Sequence, residues 1–199
     1  HPNKKVEVTN LTSNQCYTGT PANVIVNLSF TNQTVALPED DFPITVSYTL
    51  NGIAQADQSV SFANQYITIL GSALTSNSGS DTDNVIVITG AKDHNNLTIT
   101  PVTTAGQDTH THTIKTRPTI SASGTNPTTC SGNGSIGFTF TNVPDGTYTI
   151  NYDGSSFTNV AVEDGSATKS APAGTYNNLR ITANGCTSAN DPDVTLTDP

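Results

Sequence analysis

Apolar and polar residues alternate in short runs along most of the chain, and Gly, Pro, Asn or Asp bounds nearly every run. A period of two residues is the pattern of a β-strand that buries one face and exposes the other. No segment keeps the 3.6-residue period of an amphipathic helix. The pattern therefore predicts an all-β protein built from antiparallel strands.

Fifteen runs satisfy this pattern, eight in the first half of the chain and seven in the second. The predicted strands of the first half cover residues 4–9, 23–30, 44–50, 58–62, 66–70, 84–89, 97–102 and 109–116. Those of the second half cover residues 119–123, 135–141, 148–152, 157–162, 167–170, 178–183 and 194–197.

The run Ile44–Leu50 alternates without interruption and is followed at once by Asn51-Gly52. A type I′ turn needs positive φ at both central residues, which Asn and Gly adopt at low cost. A second polar and apolar run begins at Ile53. We therefore predict a β-hairpin with a two-residue turn at Asn51-Gly52.

Pro118 interrupts the pattern near the middle of the chain, directly after Thr116-Arg117. Proline removes a ladder donor and disfavours helix at the residue before it. The predicted domains are residues 1–117 and residues 118–199. Seven short strands in about 80 residues fit a small sandwich, so we expect two tandem immunoglobulin-like antiparallel β-sandwich modules.

The second half contains one local pattern twice, Pro144-Asp145-Gly146-Thr147-Tyr148 and Pro172-Ala173-Gly174-Thr175-Tyr176. In each copy a turn leads into a strand that begins with a tyrosine. Such a tyrosine either anchors the loop through its hydroxyl, as in the tyrosine corner of sandwich folds, or is an ordinary half-buried strand residue.

Composition narrows the class of partner. The chain is 33% hydrophobic and only 12% charged, with 7 Lys plus Arg against 16 Asp plus Glu and a formal charge of -9. Nucleic-acid binding needs a basic patch, and the few cations are scattered along the sequence. No apolar run approaches the length of a membrane-spanning helix. We expect a monomer that binds neither nucleic acid nor the membrane interior.

The acidic residues lie mainly in predicted turns, and two clusters are candidates for calcium. Calcium takes six to eight oxygen ligands, which carboxylates, amides and loop carbonyls supply. The candidate ligands are Glu39, Asp40, Asp41, Asp81 and Asp83. The alternative is that these acids serve as turn formers and solubilising groups. Calcium is the one cofactor that these clusters suggest.

His110 and His112 lie two residues apart, so both point to the same face of a strand. With a third ligand from a neighbouring strand, for which His94 with Asp93 is the candidate, they could hold a transition metal. The alternative is a pair of exposed histidines on a Thr-rich strand. The sequence contains no GxSxG motif, and we assign no catalytic residue and no enzymatic activity.

The second half also carries a family resemblance. Pro118-Thr119-Ile120, Cys130, PDGTYTINYDG, PAGTYNNLRITANGCTS and DPDVTLTDP resemble Ig-like or PKD-like modules repeated in the giant surface proteins of gliding Bacteroidetes, the SprB-type adhesins. ITVSYTLNG and LTITPVTTAGQ extend the resemblance into the first half. It implies repeat modules of a long cell-surface or secreted adhesin, acting in attachment or gliding motility.

Further expectations accompany this resemblance. Cys130 and Cys186 are expected to form a disulfide, leaving Cys16 over. The expected partners are neighbouring modules of the same chain and an extracellular ligand, either surface polysaccharide or another molecule. The alternative function is a carbohydrate-binding module of a secreted multidomain protein, which would present coplanar aromatic rings. The chain has six Tyr and six Phe but no Trp.

Overall fold

A computed structural model describes residues 3–199, and it is built almost entirely of β-strands. Inter-residue contacts divide the chain into two compact units, His1–Lys115 and Thr116–Pro199. Each of the fifteen predicted strands is present. The predicted and observed strand ends differ most for the strand predicted to end at residue 89, which continues to Lys92 in the structure.

The first unit contains eleven strands and three single-turn 3₁₀ helices. The helices are Glu39–Asp41, Gly71–Ala73 and Thr104–Gly106. The strands are β1 (Lys4–Val8), β2 (Thr12–Cys16), β3 (Val24–Asn32), β4 (Val35–Ala36), β5 (Ile44–Leu50), β6 (Ile53–Ala54), β7 (Gln58–Val60), β8 (Tyr66–Ile69), β9 (Thr82–Lys92), β10 (Thr98–Pro101) and β11 (Thr109–Lys115).

Hydrogen bonds connect these eleven strands in the order β2-β11-β9-β10-β1-β3-β4, with β5 also paired to β9 and β8 to β3. Most pairs are antiparallel, whereas β1 with β10 and β2 with β11 are parallel. In β3 and β5 every second residue is buried. These inward residues, with those of β1, β8 and β9, form one hydrophobic core, as the period of two requires.

The hairpin predicted at Asn51-Gly52 is confirmed. Leu50 pairs with Ile53 across a two-residue turn, and φ is 51° at Asn51 and 79° at Gly52. Both values lie in the left-handed region that a type I′ turn requires. The Asn51 side chain also accepts a hydrogen bond from the Val85 amide at 2.8 Å, which ties the turn to β9.

The second unit contains nine strands in three small sheets, ordered β12-β13-β16, β15-β14-β18-β19 and β17-β20. Its core is separate from that of the first unit. The strands are β12 (Thr119–Thr125), β13 (Asn133–Thr141), β14 (Gly146–Tyr152), β15 (Ser155–Val162), β16 (Ser166–Pro172), β17 (Gly174–Tyr176), β18 (Arg180–Ala183), β19 (Cys186–Thr187) and β20 (Val194–Leu196).

Both tyrosines of the repeated turn pattern anchor their loops through the hydroxyl. Tyr148 Oη donates to the Pro144 carbonyl at 2.9 Å, and Tyr176 Oη donates to the Pro172 carbonyl at 2.8 Å. The two bonds span the same four residues. The sequence left two alternatives for these tyrosines, a loop anchor and an ordinary half-buried strand residue. Both tyrosines are loop anchors.

Removal of the buried anchor should be measurable. Tyr176→Phe keeps the ring, which packs against Tyr152 and Phe157, but leaves the Pro172 carbonyl without this donor. We expect a loss of about 1 kcal/mol in the free energy of unfolding, the usual worth of one such bond. Urea titration followed by far-UV circular dichroism measures it. A loss above about 3 kcal/mol would mean that ring packing had also changed.

One full-length strand escaped the sequence pattern, β2, whose sequence TSNQC contains no apolar alternation. It lies at the edge of its sheet and pairs only with β11. Both faces of this edge strand are partly exposed to solvent, so the strand needs no apolar residues. Hydrophobic periodicity therefore does not detect it.

No helix among residues 3–199 is long and apolar enough to cross a membrane.

Candidate functional site

The histidines of β11 point into the first unit. Residues alternate along this strand, and Ile114 fixes the phase: residues 110, 112 and 114 are buried, whereas the threonines between them are partly exposed. His110 is 0% exposed and His112 is 4% exposed. The prediction that both share a face is confirmed, but the alternative of two exposed histidines is wrong, because that face is the inner one.

Ser13, on the neighbouring strand β2, joins the two rings. Its Oγ lies 2.7 Å from His110 Nε2 and 2.7 Å from His112 Nδ1. The second nitrogen of His110, Nδ1, bonds to the carbonyl oxygen of Asn10. Ser13, His110 and His112 are called the Ser-His cluster below. The cluster links β11 to the edge strand β2 and to the turn that precedes it.

Burial lowers the pKa of His110, an effect only partly offset by the bond to the Asn10 carbonyl. Burial also lowers the pKa of His112, and the neighbouring His110 lowers it further. Both rings are therefore neutral at pH 7, and each carries one N–H.

This neutrality fixes the direction of every bond in the Ser-His cluster. A carbonyl only accepts, so His110 donates from Nδ1 to Asn10, and its Nε2 accepts from the Ser13 hydroxyl. The Ser13 oxygen then accepts from His112 Nδ1. His112 Nε2 is left as a bare acceptor, and it is buried without a hydrogen-bond partner in residues 3–199. Because the pKa of His112 is lowered, this nitrogen takes up a proton only at a pH below the usual range for histidine.

A second buried polar cluster, the Lys-Asp cluster, consists of Lys4, Asp41 and Asp93. Lys4 Nζ donates to Asp93 Oδ2 at 2.7 Å and to Asp41 Oδ1 at 2.8 Å. The side chains are 8% exposed for Lys4, 0% for Asp93 and 19% for Asp41. The Lys4 ammonium therefore connects three segments that are far apart in sequence. These segments are β1, the first 3₁₀ helix and the turn after β9.

Asp93 is held on both of its oxygens. Oδ2 faces Lys4, whereas Oδ1 accepts the backbone amides of Asn95 and Leu97, each at 2.9 Å. Burial alone raises the pKa of the Asp93 carboxyl, but the bonds from Lys4 and the two amides outweigh it, and the net pKa is lowered. Burial lowers the pKa of Lys4, and the two aspartates more than reverse this. The cluster is ionised at neutral pH.

The candidate calcium ligands do not converge. Glu39 and Asp40 are exposed on the first 3₁₀ helix, and the Asp41 carboxylate contacts Lys4. Asp83 accepts a 2.6 Å hydrogen bond from Thr113 Oγ1. Within residues 3–199 no three His, Cys, Asp or Glu side chains form a group that could hold a metal ion. The predicted calcium site is corrected accordingly, because the Asp41 carboxylate is paired with the Lys4 ammonium.

The predicted transition-metal trio is corrected for a related reason. His94 is exposed in the turn after β9, whereas His110 and His112 are buried. The His112 nitrogen nearest to Ser13 and both His110 nitrogens are used in hydrogen bonds. The lone pairs that a metal would need are thus mostly occupied.

The predicted disulfide between Cys130 and Cys186 is wrong, because Cys130 is free and exposed. Cys16 and Cys186 are each disulfide-bonded. Cys186 is fully buried, whereas Cys130 lies in an open turn with its Sγ 4.0 Å from the Pro199 carbonyl oxygen. The resemblance to repeat modules suggested a bridge that includes Cys130, and the fold leaves that thiol free.

Peptide mapping without reduction checks this assignment. We expect the peptides that contain Cys16 and Cys186 to be found only in linked form, and the peptide that contains Cys130 to be found unlinked. Iodoacetamide added to the native, unreduced protein should modify Cys130 and no other cysteine, because only Cys130 carries a thiol. A linked pair that contains Cys130 would contradict the assignment.

The residues that sequence reasoning missed are Ser13 and Lys4, and Asp93 was considered only as a neighbour of His94 in a metal site. Ser13 could not be found, because β2 gives no apolar signal. The burial of His110 and His112 had a usable signal, since Ile114 is the one aliphatic residue of THTHTIK and sets the inner face. Lys4 likewise shares the inner phase of β1 with Val6 and Val8.

No family model matches this chain, and no curated protein matches it at a significant level.

Proposed function

We propose that this chain is a pair of immunoglobulin-like β-sandwich modules that act as structural or adhesive repeats of a long bacterial cell-surface adhesin, in surface attachment or gliding. The observation that carries the proposal is the organisation into two all-β units with separate hydrophobic cores. Only residues 116–118 separate the last strand of one from the first strand of the next. Tandem modules of this kind are the repeating parts from which extended surface proteins are built.

The use of the polar side chains supports a non-enzymatic role. The groups best suited to catalysis, His110, His112 and Ser13, bond to one another and to a backbone carbonyl. Lys4 and Asp93 likewise bond to each other. These contacts connect strands and turns, and such connections help a structural module to resist unfolding under a pulling force. We propose no catalytic activity.

Surface exposure on the producing cell is the first test. Antibodies raised against the purified protein should label intact, unpermeabilised cells, and brief protease treatment from outside should remove the label. A cytoplasmic protein probed in parallel controls for lysis. Labelling only after permeabilisation would overturn the proposal.

The alternative, a carbohydrate-binding module, has one observation in its favour. A groove of about 400 Å³ in the first unit is lined by residues of β5, β9 and β10 and by Asp57 from the segment between β6 and β7, and its polar groups include Ser47, Asp57 and Lys92. A glycan array separates the two functions. Dose-dependent binding that free glycan competes away, and that Asp57→Ala abolishes, would favour the carbohydrate-binding module.

A further inference from the structure

We propose that Lys4 and Asp93 become covalently joined, with an amide bond between Lys4 Nζ and Asp93 Cγ, and that Asp41 carries the protons for this reaction. The product is an intramolecular isopeptide cross-link within the first unit. The inference concerns the chemistry of three side chains and does not depend on the function proposed above.

The three groups have the placement that amide formation requires. The nucleophilic nitrogen lies 2.7 Å from one oxygen of the carboxyl that it would attack, and 2.8 Å from a second carboxylate. The fold holds these groups together because β1, the first 3₁₀ helix and the turn after β9 are fixed by their own hydrogen bonds. Holding two reactants in this way is worth many orders of magnitude in effective concentration.

The Asp93 carboxyl is made asymmetric by its surroundings. Two backbone amides, those of Asn95 and Leu97, point at Oδ1 from 2.9 Å. Preorganised N–H donors stabilise the negative charge that forms on a carbonyl oxygen during acyl transfer. Oδ1 is therefore the oxygen that stays, and Oδ2, which faces Lys4, is the oxygen that leaves.

The protons and atoms balance as follows. The Lys4 ammonium gives one proton to the Asp41 carboxylate, which frees the nitrogen lone pair to attack Asp93 Cγ. Asp41 passes that proton to Oδ2, accepts a second proton from the nitrogen, and delivers it as the Cγ–Oδ2 bond breaks and water departs. Ammonium plus carboxylate become amide plus water, and Asp41 ends as the carboxylate it began as.

Asp41 is suited to this role because it is partly exposed, at 19%, beside an open groove that Lys4, Leu37 and Pro38 also line. The groove gives the released water a path to solvent. The Asp93 side chain, at 0% exposure, is shielded from the reverse reaction with water.

The cross-link would tie β1 to a turn 89 residues further along the chain. A covalent tie that closes a long loop restricts the unfolded chain. It also fixes β1 against a pulling force.

Intact-mass spectrometry of the full, reduced chain tests the proposal. We expect a mass lower than that of the sequence by one water molecule. Tryptic digestion should then yield a branched peptide that joins residues 1–5 to residues 93–115, because trypsin does not cut at an acylated Lys4. A full sequence mass, with separate linear peptides at both positions, would overturn the proposal.

Two matched variants and one internal check sharpen this test. Lys4→Arg should restore the full mass, whereas Lys5→Arg, one residue away on the same strand, should not. Asp41→Asn, with folding verified by circular dichroism, should also restore it; an unchanged cross-link in this variant would overturn the role given to Asp41. Water is lost as well when a succinimide forms at an Asp-Gly pair such as Asp145-Gly146, so a mass deficit without the branched peptide contradicts the proposal.

Discussion

Replacing Asp93 by alanine is expected to lower the free energy of unfolding of the first unit by about 3–5 kcal/mol, the cost of breaking one side of a buried ion pair. The Lys4 ammonium loses its shortest contact in a place where its side chain is only 8% exposed. The amides of Asn95 and Leu97 also lose their acceptor. An amide bond at the same position would make the loss larger.

Urea unfolding followed by far-UV circular dichroism measures this change, since the chain contains no Trp for fluorescence. Asp191→Ala is the matched control, because Asp191 pairs with Arg180 at 3.0 Å while both side chains are about half exposed. Exposed pairs contribute little, so we expect the control to change the free energy of unfolding by less than about 1 kcal/mol. Equal decreases in the free energy of unfolding for the two variants would contradict the claim that the buried pair contributes more than the exposed pair.

Acidification should destabilise the first unit through the Ser-His cluster. The unfolded chain binds protons at its histidines with a pKa of about 6.5. Burial lowers the pKa of His110 and of His112 in the folded protein. The folded state therefore binds fewer protons below pH 6.5, and its stability, complete above that pH, is lost progressively as the pH falls toward the lowered pKa values. Urea midpoints recorded between pH 8 and pH 5 should show this decline.

Two variants assign the decline to the Ser-His cluster. Ser13→Ala leaves two buried ring nitrogens without a partner and should cost about 2–4 kcal/mol at pH 7, whereas Ser59→Ala, at an exposed position of β7, should be close to neutral. His112→Leu removes one titrating group together with its unpartnered Nε2. We therefore expect a flatter pH profile for His112→Leu. An unchanged profile would mean that other groups cause the decline.

The fold was largely predictable because most of its strands bury one face. In β3 and β5 a buried apolar residue recurs at every second position, and the free energy of burying these residues selects the strand and its orientation. Turn chemistry added the hairpin at Asn51-Gly52, whereas for the two tyrosines it left the loop anchor and the ordinary strand residue open. These features depend on residues close together in sequence, so local rules suffice.

The polar clusters were not predictable in the same way. Lys4 meets Asp93 across 89 residues, and Ser13 meets His112 across 99. Which distant groups meet depends on strand order, and the parallel pairing of β2 with β11 has no local signature. The acids chosen as calcium ligands were grouped by nearness in sequence, and the fold places the Asp41 carboxylate against Lys4.

The sequence alone thus determined that this is an all-β protein, where most of its strands run, and which turns connect them, because alternating burial and turn conformation are properties of neighbouring residues. The tertiary structure alone decided that Ser13 joins the two histidines, that Lys4 lies between two aspartates, and that Cys130 remains free. These outcomes follow from long-range strand pairing, which brings together groups that no local pattern relates.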